Sequence, residues 1–159
     1  MNVLDILLMV QIVGKPQNMA TRNYRVVIDT NVIVSALRSR DGASFLLISL
    51  LQSGIFDFVL STPLVLEYEM VLKRNHLVPF TMEEVDAFLD ILCLFGKRQK
   101  LWYLWRPILA DPGDDFIAEL AANAQVDFIV THNRKHFEAM GIFAINVCSP
   151  KEFLDLIGK

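Results

Sequence analysis

The sequence predicts an α/β protein: a three-layer α/β/α sandwich around a central, mainly parallel sheet. Two observations carry this. The apolar run VVI at 26–28 shows no polar alternation and suits a strand buried on both faces of a parallel sheet, and FDFVL at 56–60 and DFIV at 127–130 read as further strands. Segments of helical length separate these runs, so strands and helices alternate along the chain. At 159 residues the chain suits one domain with a sizeable core.

In order, residues 1–23 read as an N-terminal extension and 24–159 as the domain. Met1–Val13 is strongly apolar and has the length of a signal-peptide core. It lacks a basic flank, carries Asp5 and has no A-x-A site before Pro16. It is also too short to span a bilayer. It is expected to pack on the domain or on a partner chain. The first strand, RVVI at 25–28, runs into Asp29-Thr30-Asn31, and a short helix over Val32–Leu37 is expected next. Asp29 therefore falls at the carboxyl end of a central strand, where open α/β sheets bind ligands. It also suits a helix N-cap, and this stretch alone leaves both readings open. A second helix is expected over Ala43–Gln52, closed by Ser53-Gly54, and a second strand over Phe56–Leu60.

Ser61-Thr62-Pro63 has the form of a helix start, and the helix continues over Leu64–Arg74 with Glu67 and Glu69. Thr81 and Glu84 have capping-box spacing ahead of a helix over Glu83–Phe95. Gly96-Lys97-Arg98 is expected to end it, and Lys100–Leu104 to form a third strand. Asp111-Pro112-Gly113-Asp114-Asp115 is an acidic turn before a helix over Phe116–Ala124. A strand over Asp127–Val130 ends in Thr131-His132-Asn133. A short helix over Arg134–Met140, a last strand over Phe143–Val147 and a helix over Pro150–Ile157 complete the domain.

Composition narrows the class. Apolar residues make up 53% of the chain, with a mean hydropathy of +0.40, which suggests heavily buried strands, an apolar interface, or both. The excess predicts a homodimer or larger, with Val3–Val13 and the helix over Glu83–Phe95 as contributors. The net charge of −3 gives no global basic footprint for nucleic acid. The two cysteines, Cys93 and Cys148, form no CxxC pair and read as reduced thiols of a cytoplasmic protein. No nucleophile elbow, Walker sequence or G-x-G-x-x-G is present. His132 and His136 stand four apart with no glutamate between them, and read as surface or cleft-edge residues.

Parallel strands put Asp29, Ser61 and Thr131 on one edge of the sheet. Glu67 lies on the helix after the second strand, and Asp114 and Asp115 open a later helix. Carboxylates gathered there repel one another, and a hard divalent cation, Mg²⁺ or Mn²⁺, removes the conflict. Independent helix caps would place the same acids without any cation.

Four motifs in order, VVIDTNVIVSAL at 26–37, STPLVLEYEMVL at 61–72, DPGDDFIAELA at 111–121 and DFIVTHN at 127–133, resemble the PIN-domain nucleases. The branch most similar is the toxin component of prokaryotic toxin–antitoxin pairs. The resemblance implies a Mg²⁺- or Mn²⁺-dependent endoribonuclease acting on single-stranded RNA, with a cognate antitoxin as a possible partner and no membrane association. It puts the first acid on Asp29, the second on Glu67 with Glu69 as alternate, and the third on Asp114. Asp115 joins the metal-facing acids and Asp111 is a supporting candidate. The supporting polar positions fall on Asn31 and Thr131. The fourth acid position falls on Asn133, a departure that leaves the number of ions, one or two, open. Contacts to the RNA backbone would come from Arg38, Arg40, Arg134 and Lys135, with Lys73 and Arg74 further candidates. Trp102, Tyr103 and Trp105 suit either base stacking or packing. Two other readings are an RNA- or protein-binding module that keeps this fold without cutting, and an aspartyl phosphatase. The second lacks the further acid two residues after Asp29 that such loops usually carry.

Overall fold

The computed structural model describes residues 23–74, 77–102 and 115–159. The expectations for Val3–Val13, Tyr103, Trp105, Asp111 and Asp114 lie outside those residues. Among the described residues the elements run β1 (Arg25–Ile28), α1 (Thr30–Arg38), α2 (Ala43–Ser49), a 3₁₀ turn (Leu51–Ser53), β2 (Asp57–Leu60) and α3 (Thr62–Leu72). They continue with α4 (Met82–Phe95), β3 (Lys97–Arg98), α5 (Asp115–Ala124), β4 (Phe128–Val130), a 3₁₀ segment (Arg134–Phe143), β5 (Asn146–Cys148) and α6 (Pro150–Leu156).

The strand order is β3-β2-β1-β4-β5 and every pairing is parallel. β1 is central, as its composition predicts. Val26, Val27 and Ile28 are all fully buried, and successive residues of a strand face opposite ways, so helices cover both faces of the sheet at its centre. The chain leaves β1 for β2 on one side, while β4 lies on the other. The crevice beyond the carboxyl ends of β1 and β4 is thus the topological switch point, where such sheets bind ligands.

The core is aromatic as well as aliphatic. Tyr68, Phe58, Phe88, Phe137 and Phe153 are among the largest fully buried side chains. Phe153 of α6 meets Phe56 edge-on at 5.3 Å and Phe128 at 5.6 Å between ring centroids, a favourable quadrupole geometry. The capping box of α4 forms as spaced: the Thr81 hydroxyl accepts from the Glu84 N–H, and the Glu84 carboxylate accepts from the Thr81 N–H. A second box, Ser149 with Glu152, starts α6. Among the described residues no helix is long and apolar enough to cross a membrane.

The third strand is not found at 100–102 of the expected Lys100–Leu104, whose last two residues lie outside the described ones. It is the two-residue β3. The cause lies at Gly96. A Cβ there would collide with the side chain of Leu60, so only glycine lets the end of α4 pass close enough for Lys97 to pair with Val59 at once. Exposed Lys97 and Arg98 then form a short charged edge, which discourages further pairing. The expected helix over Arg134–Met140 is instead a 3₁₀ segment. It runs through Gly141 to Phe143 and ends at Ala144 in the left-handed region, φ 57°. β5 accordingly starts later than expected, at Asn146.

Candidate active site at the switch point

The residues after β1 build the floor of the site. The Asp29 N–H donates to the carbonyl of Val130 at 2.9 Å, which ties the end of β1 to the end of β4. Asp29 occupies the N-cap position of α1, and its carbonyl receives the first helical bonds from Val32 and Ile33, yet its side chain makes no capping bond. One carboxylate oxygen, Oδ2, instead accepts from Asn31 Nδ2 at 2.7 Å and from the Thr131 hydroxyl at 2.5 Å. The cap reading of this carboxylate therefore fails. Asp29 is only 5% exposed, and two bonds on a single oxygen orient the group.

Asn31 and Thr131 are held in turn. The Asn31 amide oxygen accepts from the His132 N–H at 3.2 Å, and the fully buried Thr131 hydroxyl accepts from the Asn133 N–H at 2.9 Å. Both supporting positions named from the sequence thus touch Asp29 directly, and Asn133 reaches it through Thr131.

The second acid arrives on α3. Ser61 caps this helix by accepting from the Leu64 N–H, and Pro63 fits the first turn. One turn further on, Glu67 Oε1 accepts from the Thr30 hydroxyl at 2.8 Å. Glu69, the alternate, pairs with Lys73 at 2.7 Å, and of the two Glu67 lines the cleft. The next residue, Tyr68, is fully buried, and its hydroxyl donates to the carbonyl of Ile28, one residue before Asp29. Burial raises the Tyr68 phenol well above its ordinary pKa, and the negative charges of Asp29 and then Glu67 raise it further. Both carboxylates therefore act on one point at the strand end.

Asp29, Glu67, Thr30, Asn31, Arg38, Asn133 and His136 line a single cleft of about 620 Å³, together with Val34, Ser35, Ser39 and Val71. Its donors are the hard oxygens of carboxylate, hydroxyl and amide, which fit Mg²⁺ or Mn²⁺ and not a soft-ligand metal. Among the described residues no group of three or more His, Cys, Asp and Glu side chains is gathered for a metal ion. Asp114, the third acid of the resemblance, lies outside those residues. Asp115 is buried at the first position of α5, and fully buried Glu119 follows one turn later. Glu119 was missed by the sequence reading. Its signal was its place four residues after Asp115, on the same helix face and beside buried Ala118.

The predicted RNA-binding cations separate. Arg38, in the last turn of α1, lines the acid cleft. Arg40 lines a different cavity, of about 710 Å³ beside α2 and α6, with Lys151 and Lys159. Arg134 pairs with Glu152 at 2.8 Å, and Lys135 is exposed without lining the cleft. Lys73 is engaged by Glu69 and Asp86, and Trp102 is exposed. The two histidines part as well: His132 Nε2 bonds the buried Ser44 hydroxyl at 2.8 Å, whereas His136 Nε2 accepts from Asn133 Nδ2 at 2.7 Å inside the cleft.

The all-parallel sheet, with two acids in a cleft at its switch point, defines an α/β protein with a candidate active site there. A family model for the PIN domain matches residues 25–135, and the chain belongs to that family. PIN domains are in general nucleases that use divalent metal ions. No curated protein matches the chain.

Proposed function

We propose that this protein is a Mg²⁺- or Mn²⁺-dependent endoribonuclease that hydrolyses phosphodiester bonds in single-stranded RNA, and that it is the toxin of a toxin–antitoxin pair. The observation that carries the catalytic reading is the meeting of Asp29 and Glu67 in one cleft with Arg38, at the switch point of a PIN-domain chain. Asp29 would hold the ion with Asp114, the third acid of the resemblance, and Asp115, which opens α5. Bound there, the ion supplies Lewis-acid polarisation of the scissile phosphate and a nucleophile at neutral pH. Asn31 and Thr131 keep the Asp29 carboxylate aimed. Glu67, steadied by Thr30, orients the attacking water and receives its proton. Arg38 offers a planar, permanently charged donor set for a phosphate. Without such a cation the cleft's own negative charge would repel the substrate.

Exposed apolar side chains support self-association. Leu66 and Met70 stand one turn apart on α3, and Leu94 of α4 is 74% exposed. Light scattering at micromolar concentration should give a dimer or larger, and a monomer would refute that part.

The catalytic reading is tested with end-labelled single-stranded RNA. Cleavage should require Mg²⁺ or Mn²⁺, stop with chelator, and fall at least about 1,000-fold in Asp29→Asn, as expected for loss of a group that organises transition-state charge. Metal-independent cleavage, or an Asp29→Asn variant as active as wild type, would overturn it. Tight RNA binding without cleavage would favour the binding-module reading, which the amide at Asn133 keeps open.

A further inference from the structure

We propose that His136 is a substrate-contacting residue of this cleft, held by Asn133 to hydrogen-bond a phosphate of the RNA strand. The inference rests on the nuclease reading above and adds a residue that none of the four motifs contains.

Charge balance within the cleft leads to it. Of the described lining residues, Asp29 and Glu67 are anionic, while Arg38 and His136 bring guanidinium and imidazole nitrogens suited to a phosphate. An RNA strand passing the acids carries a phosphate at every nucleotide, so a ring donor beside Arg38 can meet the phosphate next to the one the arginine holds. His136 is exposed while lining the cleft, so a ligand can reach it without displacing core packing.

The ring is also oriented. Asn133 and His136 are three residues apart, and in a 3₁₀ segment side chains at that spacing eclipse. The 2.7 Å contact between Asn133 Nδ2 and His136 Nε2 is the result, and it orients the ring. Asn133 is itself anchored, because its N–H donates to the Thr131 hydroxyl that supports Asp29. A continuous path, Asp29 to Thr131 to Asn133 to His136, therefore fixes the imidazole relative to the first acid. The resemblance puts a carboxylate at position 133. A carboxylate there would add negative charge to the path of the substrate, whereas the amide adds none and holds a donor ring. Asn133 is in this account a positioning residue.

The test separates binding from cleavage. Anisotropy of a fluorescent single-stranded RNA is measured with EDTA, using wild type, His136→Ala, His136→Gln, Asn133→Ala and the double variant His136→Ala/Asn133→Ala. Thermal melts check folding, which an exposed position should preserve. Loss of one hydrogen bond to a charged phosphate should weaken RNA binding about 10-fold in His136→Ala. His136→Gln, which keeps an N–H donor, should recover part of that loss. Asn133→Ala should cost less than His136→Ala, and the double variant no more than His136→Ala alone, because Asn133 acts through the ring. In steady-state cleavage with Mn²⁺, His136→Ala should raise KM with little change in kcat, the mark of a contact made equally in ground and transition states. A folded His136→Ala that binds RNA as wild type overturns the proposal while the nuclease reading stands. A wild type that neither binds nor cuts RNA overturns both. Additive losses in the double variant would overturn the positioning role of Asn133.

Discussion

Replacing Thr131 with valine removes one oxygen and keeps the volume. That oxygen donates to Asp29 at 2.5 Å and accepts from the Asn133 N–H at 2.9 Å, and Asn31 Nδ2 lies 3.2 Å away. Thr131 is fully buried, so water cannot replace what is lost. A hydrogen bond to a charged group contributes about 1.5–3 kcal/mol, and a buried N–H left without its acceptor adds about 1 kcal/mol or more. The expected cost of Thr131→Val is therefore about 2–4 kcal/mol, a large share of the ~5–15 kcal/mol that holds such a domain together. At ~2–4 °C per kcal/mol the melting temperature should fall by roughly 5–15 °C. Thr131→Ser keeps the hydroxyl and loses one methyl, so it should cost only about 1 kcal/mol. Urea unfolding of both variants, and of Thr131→Val combined with Asp29→Asn, measures the coupling, expected at ~1–3 kcal/mol for groups in direct contact. Equal, small losses for valine and serine, or additivity with Asp29→Asn, would refute the role given to this hydroxyl.

Other outcomes follow from neighbouring features. Tyr68→Phe should cost about 1–2 kcal/mol by leaving the buried Ile28 carbonyl without its donor, and should lower Mn²⁺ affinity as the strand end loosens; calorimetric titration with the fold verified checks both. Gly96→Ala should destabilise by about 1–3 kcal/mol through overpacking against Leu60, and Leu60→Ala in the same chain should relieve part of that strain. Of the two thiols, exposed Cys93 should react with a maleimide at pH 8 and Cys148 should not. Burial first, and Glu152 second, push the Cys148 thiol up to about 12 from an ordinary 9.0. Above pH 9 the unfolded thiol ionises while the folded one keeps its proton, so stability should decline as pH rises from 9 toward 12. A stability curve that rises over that range in the wild type but not in Cys148→Ala would contradict this.

Sequence reading succeeded where one local rule decided the outcome. The central strand was legible because Val26, Val27 and Ile28 show no alternation, which only a doubly covered strand allows. Both acids that line the cleft stood in motifs with a strand end before them. It failed where tertiary packing decided. Nothing local marks β3, because two charged residues have no strand signature; the space that Gly96 leaves beside Leu60 makes the pairing. His132 and His136 read as surface or cleft-edge residues and both are exposed, but their spacing did not show where each ring would bond. The chain runs there as a 3₁₀ segment, so His136 meets Asn133 three residues back, and His132 goes to Ser44 on α2. Arg38 and Arg40 looked equivalent, yet the break after α1 sends them to different cavities.

The central claim is that Asp29 belongs to a divalent-cation site and not to a helix cap. A crystal soaked in Mn²⁺, with anomalous scattering recorded at the manganese edge, tests it most directly. The account predicts a peak within about 2.0–2.3 Å of an Asp29 carboxylate oxygen, in the cleft with Glu67 and shared with Asp114, and its disappearance in Asp29→Asn. Millimolar Mn²⁺ with no peak in that cleft, or a peak untouched by Asp29→Asn, would contradict it.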